Sequence, residues 1–363
     1  MKIAIVGLPK SGKTTIFNAL TRGKAEVAAY SPSLVPNMSV AKVPDSRLST
    51  LENIFHPKKT IPAEINYVDI AGSPKAFGSQ GEMGGELLNY LTTADALLQV
   101  ARTFEDENFP HPSGSTDPRR DIATLDLELA FSDLTIIERR LERLEKSLKG
   151  ANASEHALYV KEQLLLHKIK AELDKDIPIR QQKLNEDEPK MLSSYQFLTA
   201  KPMLAVLNIG EEQIPQASLL KSEIGSAYPQ FAVVALCGKL EMELGQLSEA
   251  EAQEFREAMG LATPALNRVI DLSYQLLGLI SFFTTASAEL KAWTIPGGTT
   301  APEAAGKVHT DMERGFIRAE VISYSDLDSC GSSAEARKQG LLRMEGKNYV
   351  IQDGDIVTFL FNV

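Results

Sequence analysis

Residues 7–14 read Gly7-Leu8-Pro9-Lys10-Ser11-Gly12-Lys13-Thr14 and match the pattern G-x-x-x-x-G-K-S/T in full. A short apolar run over residues 2–6 precedes this stretch, and residues 15–21 carry apolar side chains at helical spacing after it. Strand, glycine-rich turn and helix in this order let backbone N–H groups converge on an anion at the positive end of the helix. The stretch therefore predicts a binding site for the phosphates of a nucleotide.

Individual side chains of this turn have expected roles. Lys13 can reach the β- and γ-phosphates, and the Thr14 hydroxyl can coordinate Mg²⁺. The alternative is a glycine turn with a chance lysine, which the position directly after a strand disfavours. The residues that we expect to contact the nucleotide here are Pro9, Lys10, Ser11, Gly12, Lys13, Thr14 and Thr15.

The composition is that of an ordinary soluble protein. The chain has 363 residues, of which 43% are hydrophobic and 24% charged, which is room for two or three domains. No run approaches the ~18–20 apolar residues of a membrane helix, and the chain starts directly with a strand, so we expect neither a membrane span nor a signal peptide. Cys237 and Cys330 show no metal-type spacing, which favours packing roles in a reducing cytoplasm. The net charge of −10 argues against a chain-wide basic surface for nucleic acid, so we expect no DNA partner, although a local basic patch is compatible with it.

A second strand supplies the far side of the predicted metal site. Residues 64–72 form an apolar strand that ends in D-x-x-G. In P-loop NTPases such an aspartate holds the metal, here Asp69, and the glycine amide, here Gly72, faces the γ-phosphate. We expect Gly72 and Lys13 to be the catalytic residues. In the alternative interpretation, Asp69 is a turn or cap residue.

The segment 29–37 lies between these two motifs. It is polar, contains Pro32 and Pro36, and lacks a helical period. These are properties of a switch loop that a γ-phosphate orders. One hydroxyl of this segment should complete the Mg²⁺ shell, and we predict Ser33, with Ser31 as the alternative.

A strand over residues 203–208 leads to the predicted base-binding corner, Asn208-Ile209-Gly210-Glu211. In guanine-specific NTPases this corner reads N-K-x-D, and the aspartate accepts two hydrogen bonds from guanine. Because the lysine is absent and a glutamate replaces the aspartate, guanine preference should be weakened, whereas the Asn208 amide can pair with adenine. We therefore predict ATP over GTP; the alternative is that Asn208 merely ends a strand.

A further strand over residues 231–236 leads to a second loop at the same corner. This loop should lie behind the base. The residues that we expect to contact the base are Asn208, Ile209, Glu211, Cys237 and Gly238.

Stretches along nearly the whole chain resemble segments of one known protein family. They are Pro36-Asn37-Met38-Ser39-Val40 with Val43-Pro44-Asp45-Ser46-Arg47-Leu48, residues 68–72, Thr93-Ala94-Asp95-Ala96, Arg102-Thr103-Phe104-Glu105-Asp106, Ala292-Trp293-Thr294-Ile295, and residues 301–311, 315–321 and 346–355. With the nucleotide motifs they resemble the YchF/Obg-like ATPase family, a branch of the translation-factor P-loop NTPases. The resemblance implies an α/β fold with a G-domain-like P-loop NTPase core.

Three departures from the family pattern mark this chain as a diverged member. The family usually has asparagine at Lys10, where it helps to bind an activating K⁺, so a potassium requirement is in question here. The switch threonine of the family corresponds to Ser33, a weaker metal ligand. Ser73 replaces the leucine of the family and the glutamine of Ras-like enzymes. Nucleotide binding therefore carries over more directly than turnover.

The predicted nucleotide-binding domain is split. We assign residues 1–118 and 188–279 to it, and residues 119–187 to a helical hairpin insert. The insert has an amphipathic helix over 121–149 and a second helix over 158–173, and Gly150-Ala151-Asn152 with Ser154 form the turn and the new N-cap. The insert is either a scaffold with a solvated charged face or a lever for a large partner.

Residues 280–363 alternate short strands, predicted over 281–287, 316–321 and 355–363, with turns. This α+β module resembles the TGS domain, a ubiquitin-like fold. His309, with Lys307, Arg314 and Arg318, could face RNA phosphates; the alternative is a structural histidine.

These observations support one main hypothesis. We expect a cytoplasmic, Mg²⁺-dependent P-loop NTPase that hydrolyses ATP, or less readily GTP, slowly and acts as a switch on a ribosome or another complex that contains rRNA or tRNA. The switch loops would be residues 30–37 and 69–85. The alternative is a nucleotide-gated binding module with little hydrolysis. A metabolic kinase is disfavoured because no acceptor pocket or lid arginines can be identified.

Overall fold

The computed structural model describes residues 1–23, 36–70, 85–261, 264–286 and 288–362. The chain forms two compact units. The first contains Met1–Ser39 and Asn66–Val269, and the second contains Val40–Ile65 and Ile270–Val363. Residues 40–65 therefore cluster with the C-terminal residues, whereas the sequence-based boundary kept them in the nucleotide-binding domain.

The strands are β1 (Lys2–Val6), β2 (Asn37–Lys42), β3 (Lys59–Ile61), β4 (Glu64–Asp69), β5 (Ala96–Arg102), β6 (Met203–Asn208), β7 (Ala232–Leu236), β8 (Leu279–Ala286), β9 (Glu289–Pro296), β10 (Phe316–Ser323), β11 (Arg343–Glu345) and β12 (Asp355–Phe361). The helices are α1 (Lys13–Thr21), α2 (Arg47–Phe55), α3 (Gly85–Thr93), α4 (Pro118–Leu148), α5 (Ala153–Leu173), α6 (Glu188–Leu192), α7 (Ala217–Ala227), α8 (Gly238–Leu244), α9 (Glu249–Ala258), α10 (Ala265–Leu276), α11 (Ala301–Val308), α12 (Thr310–Arg314), α13 (Tyr324–Cys330) and α14 (Ser333–Lys338). Short 3₁₀ helices span Ile179–Gln181, Ser193–Tyr195 and Glu211–Gln216. Within the described ranges, no helix has both the length and the apolar character needed to cross a membrane.

The sheet of the first unit has the strand order β2-β4-β1-β5-β6-β7. The pairs β4-β1, β1-β5, β5-β6 and β6-β7 are all parallel. Every residue of β5 and β6 is buried, as expected for parallel strands that helices cover on both faces. Ligands of such sheets bind beyond the carboxyl ends of the strands, and the glycine-rich turn after β1, Asp69 of β4 and Asn208 of β6 all lie at this edge.

The sheet of the second unit has the order β11-β10-β12-β8-β9-β3. β8 and β9 form an antiparallel hairpin, and β12 lies parallel to β8 at the centre. Ala301, Ala304 and Ala305 of α11 pack in the core beneath, with Phe282. The predicted strands of this region are present with shifted ends, and β9 was not among them. The assignment of this sheet to a TGS domain stays a prediction.

The predicted helical hairpin is present. Asp117 caps α4 by accepting from the backbone N–H groups of Arg119 and Arg120. Within the predicted turn and cap, the N-cap of α5 is Asn152, because Asn152 and Glu155 form a reciprocal capping box whereas Ser154 donates its own N–H to Asn152.

A buried carboxylate anchors this hairpin to the chain that returns to the sheet. Asp133 of α4 is fully buried and accepts the backbone N–H groups of Leu198 and Thr199 at 2.8 Å each, together with the Thr199 hydroxyl at 2.7 Å. Burial raises the pKa of Asp133 to about 6 against the opposing effect of these donors. The segment before β6 therefore has a fixed position on α4.

We expect Asp133→Ala to lower the free energy of unfolding of the first unit by about 2–4 kcal/mol, because two buried N–H groups lose their acceptor. Chemical denaturation followed by circular dichroism measures this. Asp174→Ala, at the exposed end of α5, is the matched control and should change stability by no more than about 0.5 kcal/mol. Equal losses in the two variants would contradict the anchoring role.

Candidate phosphate-binding site

The glycine-rich turn joins the end of β1 to the start of α1. Gly12 has φ 92°, a left-handed conformation, and a Cβ at this position would lie 2.1 Å from the Asn208 Nδ2 atom. A Cβ on Gly7 would lie 2.4 Å from the carbonyl oxygen of Val100. Gly7 is therefore required by the close approach of a backbone carbonyl, and Gly12 by its left-handed φ next to the Asn208 amide, which is the physical reason for the sequence pattern.

Lys13 lies inside the turn. Its side chain is buried, and Nζ donates to the carbonyl oxygens of Gly7 at 3.0 Å and Leu8 at 3.1 Å. Burial lowers the pKa of Lys13 to about 8, and the nearby Asp69 carboxylate opposes this shift. The ammonium is thus held within the loop with little solvation, where the charge of a bound phosphate would be strongly favoured.

Asp69 and Thr14 face each other across the predicted metal site. Asp69 is 1% exposed, and its Oδ2 atom accepts from the Thr14 hydroxyl at 2.8 Å and from Asn37 Nδ2 at 3.4 Å. Its Oδ1 atom is buried and has no hydrogen-bond partner among the described residues. Burial raises the pKa of Asp69, against the effects of Thr14, Asn37 and Lys13.

This donor set fits Mg²⁺. A carboxylate oxygen without a partner and an adjacent hydroxyl are hard oxygen ligands, and Mg²⁺ sites commonly use one or two such groups with water and substrate phosphates. Within the described ranges no three His, Cys, Asp or Glu side chains cluster as a metal site, so water and phosphate would have to complete the shell. The predicted residues Ser33 and Gly72 lie outside the described residues, as does Ser73.

The Asn208 side chain connects the base-binding corner to the phosphate loop. Its Nδ2 atom donates to the carbonyl oxygen of Ser11 at 3.0 Å, and its Oδ1 atom accepts from the backbone N–H of Gly238 at 3.1 Å. Both ends of the amide therefore contact protein, and Asn208 braces three loops. Pairing of this amide with adenine stays a prediction.

The remaining predicted base contacts surround this brace. Cys237 is buried and precedes α8, and a Cβ on Gly238 would lie 2.6 Å from the Ile16 side chain. Ile209 is buried, and its N–H donates to the Leu236 carbonyl. The structure thus brings these residues together at one end of the sheet.

Glu211 lies apart from this buried group. It is exposed at the start of a 3₁₀ helix, and its carboxylate pairs with Lys239 Nζ at 3.0 Å. An exposed ion pair contributes little to stability. The pair places one acidic and one basic group at the rim of the base-binding corner.

Two site residues have no counterpart among the sequence predictions. The Thr103 hydroxyl donates to the carbonyl of Asn208 at 3.0 Å, and Gln213 Nε2 donates to the carbonyl of Thr103 at 2.9 Å. Gln213 also accepts the Gly210 N–H at 2.8 Å. These bonds fix the backbone that carries Asn208. Thr103 belongs to a stretch that carried the family resemblance, but its role depends on a residue 105 positions away and has no local signal.

Lys10 faces the loop that follows β5. Its φ is 64°, and its Nζ lies 3.4 Å from the carbonyl oxygen of Pro110. The buried Arg102 holds the same loop by donating to the carbonyls of Phe104 at 2.8 Å and Phe109 at 2.7 Å. Whether the Lys10 ammonium substitutes for a potassium ion stays a prediction.

His309, predicted as an RNA contact or a structural residue, caps a helix. Its Nδ1 atom accepts the N–H of Asp311 at 3.2 Å at the start of α12. This contact fits the structural interpretation, although the side chain is 61% exposed. Contact with RNA stays a prediction.

Known proteins resemble this chain over its full length. Residues 2–137 match a family model described as a 50S ribosome-binding GTPase, and residues 279–362 match the model YchF-GTPase_C, described as a protein of unknown function. A protein of Bacillus subtilis (strain 168) named Ribosome-binding ATPase YchF is 40% identical over 365 residues, which cover 99% of this chain and 98% of the relative. A protein of the same name from Escherichia coli O157:H7 is 39% identical over 370 residues, covering 100% of this chain and 99% of the relative.

A solved structure shows the same likeness. The Schizosaccharomyces pombe YchF GTPase matches with a TM-score of 0.85 and 30% sequence identity, covering 99% of this chain and 97% of that chain. This match and the GTPase family model confirm the predicted α/β P-loop NTPase fold.

We expect nucleotide affinity to fall as pH rises above about 8. The Lys13 pKa is about 8 in the free protein, and a bound triphosphate raises it, so the complex holds more protons and high pH favours dissociation. Calorimetry with ATP and Mg²⁺ from pH 7 to 10 should show a loss approaching tenfold per pH unit. Lys13→Arg, which stays charged, is the control and should bind with a flat profile. A wild-type profile as flat as that of Lys13→Arg would contradict the shifted pKa.

The substitution Asn208→Ala distinguishes two roles of this side chain, the bracing of the loops and the recognition of the base. Removing the amide leaves the Gly238 N–H and the Ser11 carbonyl without their partner, which should cost about 1–3 kcal/mol of stability. If Asn208 acts as a brace, fluorescence titration will show weaker binding of ATP and GTP by similar factors. A loss confined to ATP would assign the amide to adenine instead.

Proposed function

The chain belongs to the YchF family, as its sequence predicted. On this premise we propose that it is an Mg²⁺-dependent nucleoside triphosphatase that prefers ATP and acts as a ribosome-associated switch. That the chain is a nucleotide-hydrolysing enzyme follows from its GTPase domain and from relatives named as ATPases. The observation that carries the proposal is the pair of buried charged side chains, Lys13 and Asp69, at the end of a parallel sheet, with the half-buried Thr14 hydroxyl bonded to Asp69.

The residues of the site divide the work of binding and positioning. Lys13 would exchange its bonds to the Gly7 and Leu8 carbonyls for phosphate oxygens, with backbone N–H groups of the turn around them. Thr14 and Asp69 would hold Mg²⁺, with Ser33 as the predicted switch ligand. When bound, Mg²⁺ neutralises charge on the β- and γ-phosphates. We propose that water attacks the γ-phosphorus while its bond to the β,γ-bridging oxygen breaks, so that the nucleoside diphosphate leaves and inorganic phosphate forms, with the Gly72 amide facing the γ-phosphate.

Preference for ATP rests on what the base corner lacks. Glu211 replaces the aspartate that reads guanine, and its carboxylate lies at the exposed rim, paired with Lys239. A guanine base would therefore find no buried carboxylate at this position. Adenine does not need a carboxylate at this position, so the relative affinity should shift towards ATP.

We expect slow intrinsic turnover, because the arginine near the phosphate loop is engaged in other contacts and the usual water-orienting glutamine is replaced. Arg102 directs its guanidinium to the Phe104 and Phe109 carbonyls and stacks on the Phe104 ring at 4.5 Å. Two of the three guanidinium nitrogens of Arg102 are thus held by its own loop. An additional arginine or a water-orienting glutamine can be worth about 10³–10⁵ in rate, and Ser73 replaces the glutamine here.

The names of the relatives support a partner and a location for this chain. The curated relatives are named for ribosome binding, and we propose the same partner, which would place the protein in the cytoplasm. The helical hairpin and the C-terminal unit are the regions that would carry the nucleotide state to it.

Phosphate release with ATP and with GTP, each with and without ribosomes, tests the proposal. We expect slow release that is faster with ATP and that ribosomes stimulate. Lys13→Ala and Thr14→Ala should each lower the rate by at least about 100-fold, since each removes stabilisation of the phosphate charge. Thr21→Ala, on the last turn of the same helix, is the matched control and should retain the wild-type rate.

Two results would contradict parts of this proposal. Tight ATP binding with no phosphate release under any condition would identify a nucleotide-gated binding module. GTP binding at least about tenfold tighter than ATP binding, a difference of about 1.4 kcal/mol, would overturn the base preference.

A further inference from the structure

Two neighbouring strands carry the metal-site residues at one end and enter the second unit at the other. β2 begins at Asn37 and β4 ends at Asp69, and the two strands are adjacent in the sheet. Since Asn37 contacts Asp69, the start of one strand lies beside the end of the other, and the strands run in opposite directions. The boundary between the units crosses both strands, after Ser39 and after Ile65.

The far ends of these strands are tied together within the second unit. The Val43 N–H, just after β2, donates to the Ala63 carbonyl at 2.8 Å, just before β4. Val43 and Ala63 are both buried, and Pro44 restricts the backbone that follows. The segment that leads from β2 to α2 is therefore short and stiff.

Arg47, at the start of α2, fixes this segment to the C-terminal sheet of the second unit. Its guanidinium donates to both carboxylate oxygens of Asp45, at 2.9 and 2.8 Å. It also donates to both oxygens of Asp353, at 2.8 and 3.3 Å, and stacks over the Phe283 ring at 5.1 Å. We refer to Asp45, Arg47 and Asp353 as the arginine clamp.

The arginine clamp is built into the fold. The Arg47 side chain is only 22% exposed, and Asp353 also accepts the backbone N–H of Ser281 in β8. Gly354 has φ 88°, and a Cβ there would lie 2.8 Å from the guanidinium. Planar bidentate contacts to two carboxylates are geometrically specific, and a lysine cannot reproduce them.

We propose that Arg47 is a positioning residue for the metal site: the arginine clamp fixes the far end of the β2–β4 pair, and this pair places Asp69, with its hydrogen-bond donor Asn37, where Mg²⁺ would bind. The inference rests on the proposed function, because it requires Mg²⁺ and nucleotide at Asp69. If the clamp is loosened, β2 and β4 sample more conformations. Binding of Mg²⁺ and nucleotide must then order the two strands, and the lost conformational entropy lowers the affinity. Coupling is reciprocal, and Mg²⁺ with nucleotide must therefore stabilise the clamped C-terminal sheet by the same factor.

Metal affinity is the first readout. Mn²⁺ binding to the full chain, saturated with a non-hydrolysable ATP analogue, can be followed by electron paramagnetic resonance. Arg47→Ala should weaken Mn²⁺ binding by about 5-fold or more, the lower range of measured coupling between sites, and Arg47→Lys should show part of this loss. Arg337→Ala, which breaks the ion pair with Glu320 in the same unit, is the matched control and should bind Mn²⁺ like the wild type.

Hydrogen exchange supplies the second readout and addresses a possible loss of folding in Arg47→Ala. In the wild type, the analogue with Mg²⁺ should slow exchange in residues 279–286 and 355–361. Insertion of two glycines between Val43 and Pro44 keeps the arginine clamp and Asn37 but makes the connection flexible. We expect this variant to keep the basal exchange of the C-terminal sheet and to lose the nucleotide-dependent slowing.

The outcomes separate this inference from the proposed function. Unchanged Mn²⁺ affinity in Arg47→Ala and in the insertion variant, or wild-type exchange that the analogue does not alter, would overturn the positioning role. If the wild type binds neither the analogue nor Mn²⁺, the proposed function itself fails.

Discussion

The site depends on two opposite charges that the fold removes from water at the carboxyl edge of a parallel sheet. Lys13 and Asp69 are both buried, and burial lowers the pKa of the lysine and raises that of the aspartate. Such a pair is costly unless further hydrogen bonds satisfy it. The carbonyls of Gly7 and Leu8 and the Thr14 hydroxyl supply those bonds, but one oxygen of Asp69 keeps no partner in the described chain. The site is therefore arranged to bind charged groups from outside the protein, an anion at Lys13 and a cation at Asp69.

This arrangement explains why the surrounding backbone is held so closely. A phosphate loop acts only if its N–H groups keep one geometry, and the Asn208 amide secures that geometry from Ser11 on one side to Gly238 on the other. Thr103 and Gln213 then fix the strand end that carries Asn208. Each shell of contacts thus restricts the next, as a preorganised site requires.

Sequence patterns predicted the elements whose causes are local. The glycine-rich turn, the strand that ends at Asp69 and the paired long helices follow from conformational limits and periodicity over a few residues. The N-cap of α5 was predicted only as the group of Asn152 with Ser154, because both residues could act as caps and only geometry distinguishes them. The contacts of Asn208 and Arg47 had no local signal: Arg47 binds a carboxylate 306 positions away. The stretch around Arg47 carried the family resemblance, but resemblance alone gave it no role.

Retention of a triphosphate and its hydrolysis make different demands on this chain. Retention needs Lys13 and Thr14, which begin α1, and Asp69, which ends β4, and all three have defined partners. Hydrolysis needs in addition a positioned water and compensation for charge in the transition state. The residues that depart from the family pattern, Lys10, Ser33 and Ser73, fall in the loops that would serve this second demand. We therefore expect divergence in this chain to affect the lifetime of the bound triphosphate more than its capture, and in the proposed switch a longer lifetime would extend the nucleotide-bound state.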